Sequence, residues 1–319
     1  MVENRLKTRL GRLELRSPLL TASGTSGSGN ELEVLDQSEA IIGSLGAFVT
    51  KGVSLNPRSG NPEIRVIETR TGLLNSIGLQ NKGIKHFIKE SLPELLNYQL
   101  PIIVNISAES VEGFGELAAA IAELDVDRKI SGLEINVSCP NVKEGGLAFG
   151  INEKAVERIV KAVKKNAGKN TLIITKMTPN ITDITVPAKA AIQGGTDALS
   201  MINTLKGVAI NVKTRKPYFA NVVAGLSGPA VKPVGISMVY DCFKKIPECR
   251  SKRVPIIGIG GISTWQDAAE YILAGASAVG IGTAWFVYPE VFPQIKEGLA
   301  GYLKKNSLTV DQLIGMAHV

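Results

Sequence analysis

Eight short apolar runs, each closing on a polar residue, a glycine or a methionine, constrain this 319-residue chain more than any other feature. In order they are Leu19–Ser23, Ala47–Lys51, Ile102–Ser107, Gly132–Ser138, Thr171–Met177, Ala198–Asn203, Val254–Gly260 and Ala278–Thr283. Near-continuous apolar character marks strands buried on both faces, the condition of a parallel sheet. Between the runs, Gly113–Leu124, Glu153–Asn166, Ile184–Gln193 and Trp265–Ala274 carry apolar residues at helical spacing. Eight strand-then-helix units predict an α/β fold, a (β/α)8 TIM barrel. Alternation in the first residues, turned at Gly11, predicts a β-hairpin ahead of the first barrel strand. With no low-complexity linker and no repeat beyond the βα rhythm, residues 1–319 are expected to form one domain.

Composition removes several kinds of function. The two histidines, His86 and His318, are too few for a Ser-His-Asp triad or a histidine metal site and are expected to be structural or surface residues. Three cysteines, Cys139, Cys242 and Cys249, make neither a disulfide framework nor a four-cysteine metal or iron–sulfur site. No metal is expected. That cysteine usage makes the reducing cytoplasm the expected compartment; no uncharged apolar run is long enough to span a bilayer, and the first residues are too charged for a secretory segment. The net charge is +7, but the basic residues are scattered and aromatics are 5%, which argues against nucleic acid. A modest positive field suits a small anionic substrate or cofactor.

The polar residues gather at one end of the predicted strands. Ser23, Lys51, Asn105, Asn136 to Cys139, Lys176, Asn203, Gly260 and Thr283 all stand at or near C-terminal strand ends, the catalytic face of such barrels. The connections 52–101 and 204–253 are far longer than ordinary βα loops, and the second holds the Gly/Pro-rich Ala224–Pro233; both are expected to form lids or walls over that face. Gly260-Gly261-Ile262-Ser263-Thr264 and Gly280-Ile281-Gly282-Thr283 close the last two strands. Thr264 is the expected helix N-cap, with Asp267 three residues on. Glycines and a helix N-terminus in this position predict a phosphate cradle. The earlier Gly24-Thr25-Ser26-Gly27-Ser28-Gly29 does not follow a dinucleotide fingerprint.

At Asn136-Val137-Ser138-Cys139-Pro140-Asn141-Val142-Lys143, followed by Gly145-Gly146, the chain resembles the class 1 dihydroorotate dehydrogenases, FMN enzymes of pyrimidine biosynthesis. The resemblance runs through KGVSLNPRSGNPEIRV from Lys51, NSIGLQNKG from Asn75, KMTPNITDI from Lys176, INTLKGVAI from Ile202, GLSGPAVKP from Gly225 and IIGIGGI from Ile256. NSIGLQNKG and the TRKP at Thr214–Pro217 resemble the 1B subgroup. That subgroup implies an electron-transfer partner subunit carrying FAD and a [2Fe–2S] cluster and delivering electrons to NAD+, and assembly as a homodimer within a heterotetramer. The fumarate-linked 1A subgroup is the nearest alternative. The quinone-linked class 2, with its N-terminal membrane-binding extension and serine base, is disfavoured. Ala224, Met177 and Lys82 depart from the usual glycine, leucine and proline, and none removes a charge or donor from the implied site.

The resemblance implies one FMN per chain and oxidation of (S)-dihydroorotate to orotate, with hydride leaving C6 and a proton leaving C5. With no suitable histidine, Cys139 is the candidate base, on a loop whose Gly145 and Gly146 permit opening and closing. A free cysteine titrates near about 8.5, so the reaction is expected to quicken as pH rises through neutrality. Asn75, Asn136, Asn141, Asn203 and Thr204 match substrate-holding positions, with Ser76, Ile77, Gly78 and Leu79 beside Asn75; carboxamides offer donor and acceptor to an imide edge without adding charge. Lys51 and Lys176 match positions near the flavin, and Lys51 also favours the substrate's negative charge. Ala22, Ser23, Gly24, Gly52, Asn105, Asn136 and Ile202 are expected along the flavin. Gly225, Gly260, Gly261, Gly282 and Thr283 are expected around its ribityl phosphate, and Leu226, Ser227 and Gly228 are expected among the other cofactor-binding residues. A dihydropyrimidine dehydrogenase is the rival enzyme, one that acts on rings lacking a carboxylate. A non-catalytic flavin subunit and a flavin-free barrel for a sugar phosphate are the other readings.

Overall fold

The structure, a computed structural model, describes residues 3–27, 38–138, 140–141 and 147–318. Strands β1 (Thr8–Leu10) and β2 (Leu13–Leu15) pair antiparallel as the expected hairpin, turned at Gly11 with φ 56°. Next along the chain come β3 (Leu19–Thr21), β4 (Phe48–Val49), β5 (Val66–Thr69), β6 (Gly72–Asn75), β7 (Ile102–Ile106) and β8 (Ile130–Asn136). A short antiparallel pair follows, β9 (Pro140–Asn141) and β10 (Leu147–Ala148), then β11 (Leu172–Lys176) and β12 (Ala198–Met201). The last are β13 (Leu205–Val208), β14 (Ile210–Asn211), β15 (Lys216–Pro217), β16 (Val223–Ser227), β17 (Ile256–Ile259) and β18 (Ala276–Ile281).

One parallel sheet has the order β3-β18-β17-β12-β11-β8-β7-β4, so each barrel strand neighbours the next in sequence. The seam between β3 and β4 is closed by a parallel bridge, Leu20 to Ala47, and by the Gly46 amide donating to the Leu19 carbonyl at 2.8 Å. Thr21 completes it: its Oγ1 accepts from the Val49 amide at 2.8 Å and donates to the Val49 carbonyl at 3.0 Å. Gly46 permits this approach, since a Cβ there would fall 1.9 Å from the Ser17 carbonyl oxygen. The (β/α)8 barrel expected from the eight apolar runs is therefore present, with strand ends displaced by one to a few residues.

Helices Val111–Leu124, Glu153–Asn166, Thr185–Gln193, Lys232–Lys245, Trp265–Leu273 and Val291–Lys305 lie along the chain between or after these strands. Ser110 and Asn152 cap the first two through the amides of Gly113 and Ala155. Strand residues such as Leu19, Ile102, Val104, Leu133, Ile173 and Leu199 share the large buried cluster with helix residues such as Phe114, Leu117, Val156, Ile159 and Ile272. A second cluster fills the barrel: Leu20, Ile103, Leu172, Ile174, Ala198 and Ile257 meet Leu10 and Leu15 of the hairpin, which plugs the N-terminal end. His318 stacks on Tyr240 at 3.9 Å and bonds the Ala274 carbonyl, a structural role as expected. Cys242 and Cys249 are buried; burial pushes the Cys249 thiol up to about 12 and raises that of Cys242 well above its ordinary value.

The two long connections form one structure that neither predicts alone. Strands β5 and β6 come from the first, β13 and β16 from the second, and they assemble as an antiparallel sheet of order β13-β16-β6-β5. Gly225 pairs with Asn75 and Leu226 with Leu74 across the two insertions. Leu74, Phe219 and Ala224 make a small core beneath it.

Thr21→Val keeps the shape of the seam residue but leaves the buried Val49 amide and carbonyl without their partner. Urea denaturation is expected to show a loss of about 1–3 kcal/mol, the cost of stranding such groups.

Candidate active site

Successive side chains on a strand point to opposite faces, and in this barrel the inward face changes character with height. In β7, Ile103 packs into the barrel interior and Asn105 stands above it. In β11, Leu172 and Ile174 are followed by Lys176; in β12, Ala198 is followed by Ser200. Glu134 and Asn136 take the corresponding inward positions of β8, between the outward Leu133 and Ile135. The lower layers are apolar. The upper layer is polar and still inaccessible: Asn105 is 2% exposed, Glu134 1%, Lys176 5% and Ser200 0%.

Such groups need partners. The Glu134 carboxylate accepts from Asn105 Nδ2 at 2.7 Å and from Ser200 Oγ at 2.8 Å, with Lys176 Nζ 3.9 Å away. These bonds fix which end of each amide faces outward. Asn105 must direct its NH2 to the carboxylate, so its buried Oδ1 is left without a partner. Asn75 donates to the Gly225 carbonyl at 3.2 Å, which leaves its oxygen as an acceptor. Asn136 Oδ1 accepts from the Ser138 amide and from Asn203 Nδ2, both at 3.1 Å, which leaves its NH2 as a donor. Asn203 Oδ1 is taken by the Thr204 amide at 2.8 Å.

Above this floor lies a cavity of two lobes. The larger, about 620 Å³, is lined by Ser23, Gly24, Lys51, Gly52, Asn75, Ser76, Ile77, Gly78, Leu79, Asn105, Asn136, Lys176, Asn203, Thr204 and Gly225 among others. The smaller, about 200 Å³, is lined by Ala22, Ile202, Leu226, Ser227, Gly228, Gly260, Gly261, Gly282 and Thr283. Ser23, Asn75, Lys176, Asn203 and Thr204 border both. Every predicted site residue within the described segments, apart from the side chain of Asn141, therefore borders one cavity. Cys139 and the side chain of Asn141 lie outside the described residues; the Asn141 backbone pairs with Leu147. Gly225, expected beside the phosphate, instead borders the larger lobe opposite Asn75, where a Cβ would fall 2.3 Å from Thr204 Oγ1.

The smaller lobe is lined by the glycines at which the cradle was expected. Gly261 has φ +69°, and a Cβ there would come within 2.9 Å of the Gly228 carbonyl oxygen and 2.7 Å of Lys232 Cβ. Thr283 Oγ1 donates to Ser227 Oγ at 2.8 Å, tying the β18 end to β16. Thr264 and Asp267 form the predicted capping box, and Asp267 accepts from the Ser263 amide at 3.0 Å and the Thr264 amide at 2.9 Å. Lys232 Nζ sits 2.7 Å from Asp267 and 2.6 Å from Glu270. Burial alone would raise the Asp267 carboxyl, but the Lys232 ammonium and the Ser263 and Thr264 donors outweigh it and hold the group below its usual value.

Several residues here were not singled out from the sequence. Glu134 is one; its signal was a lone charge inside the apolar run Gly132–Ser138. Asn61 is another: its amide donates to the Ile77 carbonyl at 3.0 Å and its side chain to the Ser76 carbonyl at 3.1 Å, holding the 76–79 segment where Gly78 and Leu79 have φ 73° and 56°. Asn180 bridges Thr178 and the Thr204 carbonyl, and nothing in its local sequence marks it. Arg58, paired with Glu109 at 2.6 Å, also borders the larger lobe.

A glycine-lined lobe at the ends of the last two strands, opening into a cavity floored by lysine and carboxamides, defines a barrel of the enzyme kind with its ligand cavity at the C-terminal strand ends. Its family follows from sequence: the dihydroorotate dehydrogenase profile matches residues 5–303, and the chain belongs to that family. The dihydroorotate dehydrogenase B (NAD(+)) catalytic subunit of Thermoanaerobacter pseudethanolicus is 48% identical over 316 residues, 98% of this chain and 99% of that one. The subunit of the same name from Maridesulfovibrio salexigens is 48% identical over 304 residues, 95% of each chain. That of Bacteroides thetaiotaomicron is 42% identical over 316 residues, 98% and 99%. The resemblance to the 1B subgroup is borne out.

Two outcomes are expected at the cradle. Gly261→Ala, strained by its positive φ and blocked by Gly228 and Lys232, should destabilise the fold by about 1–2 kcal/mol in urea denaturation. Asp267→Asn should destabilise the fold at neutral pH. Because the folded carboxyl is held below its unfolded value of about 3.9, the wild-type advantage is full above that pH and fades as pH falls through the folded value. Denaturation of both proteins from pH 7 to 3 should show the gap closing.

Proposed function

We propose that this chain is the FMN-binding catalytic subunit of an NAD+-linked dihydroorotate dehydrogenase, oxidising (S)-dihydroorotate to orotate in pyrimidine biosynthesis. The observation that carries the reading is the continuity of the cradle with the lysine- and asparagine-lined lobe in a chain of this family. FMN fits the residues present: Gly261 holds a positive φ at the smaller lobe, where a Cβ would collide with Gly228 and Lys232, and Asn105 offers an unpartnered buried oxygen at the larger lobe. Gly228, Gly260, Gly261, Gly282 and Thr283 would hold the phosphate, and Ala22, Ser23, Gly52, Asn105, Lys176 and Ile202 the remainder. When bound, FMN supplies the acceptor for the hydride that leaves C6.

The chain's own residues do the rest. Lys176, on the floor of both lobes, favours negative charge that develops above it during hydride transfer. Lys51 offers a second cation for the substrate carboxylate, next to the backbone of Ser76–Leu79. The Asn75 oxygen and the Asn136 NH2 present one acceptor and one donor to the alternating N–H and C=O groups of the ring, with Asn203, Thr204 and Asn141 completing the set. Cys139 takes the C5 proton as thiolate, leaving a neutral thiol. Two electrons then leave through a partner subunit carrying FAD and a [2Fe–2S] cluster, two copies of each chain making a heterotetramer in the cytoplasm.

The test is anaerobic. The purified chain loaded with FMN should lose its visible flavin band when dihydroorotate is added, and dihydrouracil should leave it unchanged. Cys139→Ala should keep FMN but reduce it about 10²–10⁴-fold more slowly, the usual worth of a general base. In the wild type the rate should rise with pH as the thiolate fraction grows. NAD+ should be turned over only once the partner subunit is supplied, and fumarate not at all. A fully flavinated protein that dihydroorotate does not bleach would overturn the reading.

A further inference from the structure

Among the described residues, Glu134 and Lys176 are the only buried charged side chains, and the chemistry above makes no use of the first. Glu134 borders neither lobe. Its oxygens are committed instead to three groups on three neighbouring parts of the barrel: Asn105 on β7, Lys176 on β11 and Ser200 on β12. Two of those, Asn105 and Lys176, do border the cavity. We propose that Glu134 is a positioning residue that dictates what the cavity floor offers a bound flavin, acting through Asn105 and Lys176; the proposal rests on the flavin reading given above.

Glu134 acts in two ways. The first is hydrogen-bond polarity. A carboxylate only accepts, so the Asn105 NH2 is held at 2.7 Å and cannot turn to the cavity. The floor at Asn105 is therefore an acceptor, its Oδ1 buried and unpartnered, and it suits the single N–H of an oxidised isoalloxazine ring. A neutral glutamine at 134 removes the constraint, because an amide can meet either end of Asn105. The second is charge. The Lys176 ammonium stands 3.9 Å from Glu134, so its field at the cavity is partly cancelled from below. Without the carboxylate the floor is more positive, and whichever flavin state carries more negative charge is favoured. Ser200 holds the second carboxylate oxygen at 2.8 Å and keeps both alignments in place.

Glu134→Gln changes polarity and charge together, whereas Glu134→Asp keeps the charge and withdraws the carboxylate by one methylene. Three quantities are measured on wild type and both variants without substrate: the FMN dissociation constant, that of N3-methyl-FMN, and the flavin reduction potential. Wild type should prefer FMN over its N3-methyl form at least tenfold. Glu134→Gln should lose most of that preference, and its potential should move positive by at least a tenfold change in the reduced-to-oxidised ratio, about 30 mV for a two-electron couple. Glu134→Asp should also lose preference, at least threefold, while its potential stays within that margin of wild type. A preference unchanged in Glu134→Asp would overturn the proposal whether or not Glu134→Gln folds, as would a potential in Glu134→Gln that matches wild type. Wild type that takes up no FMN would overturn the functional reading and this one with it, a failure visible in a different arm.

Discussion

A closed barrel of eight strands has one axis, and every second side chain must fit into the column around it. That constraint sets the rest of the structure. Ile103, Leu172, Ile174, Ala198 and Ile257 fill the lower column together with the hairpin leucines, and this apolar plug offers no place for a ligand. One step higher, the same strands place Asn105, Glu134, Lys176 and Ser200, none of them more than 5% exposed. They are tolerable there because each satisfies another. The floor of the cavity is thus the upper boundary of the core. Its donors and acceptors are fixed by interior hydrogen bonds rather than by solvent.

The walls are built differently. Four strands from two insertions meet over the rim, and the contact between Asn75 and Gly225 joins residues 150 positions apart. Glycine decides how closely the two insertions approach each other within this sheet, since at Gly72 a Cβ would sit 1.9 Å from the Ser227 carbonyl oxygen. Asn61 and Asn81 then brace the 76–79 segment from the side, Asn81 through Leu79, Ser54 and Gly83. Floor, cradle and wall come from separate parts of the sequence and share Asn75, Asn203 and Thr204 at their junction.

Much of this was legible in the sequence, for identifiable reasons. Parallel strands buried on both faces are written as apolar runs, so the eight barrel strands and the polar residues at their ends could be read directly. Gly11, Thr264 with Asp267, and Gly260-Gly261 act locally, and local signals survive without tertiary context. The wall sheet was expected only as an insertion, because its strands are short, partly exposed on one face and paired at long range. Glu134 escapes sequence reading for a related reason. A lone charge in an apolar run is visible, but its partners lie on β7, β11 and β12, and only closure of the barrel brings them within reach.

The wall sheet has a consequence for the order in which the molecule is made. Strands β5 and β6 leave the ribosome long before β13 and β16, and the barrel strands β7, β8, β11 and β12 intervene between them. Sheet contacts of such sequence separation form slowly, because the loop must close before any pairing rewards it. A nascent chain can therefore begin its barrel while the first insertion still has no partner, its strands waiting as an unpaired edge. The cavity wall can close only after β16 has been made, when six of the eight barrel strands are already in the chain.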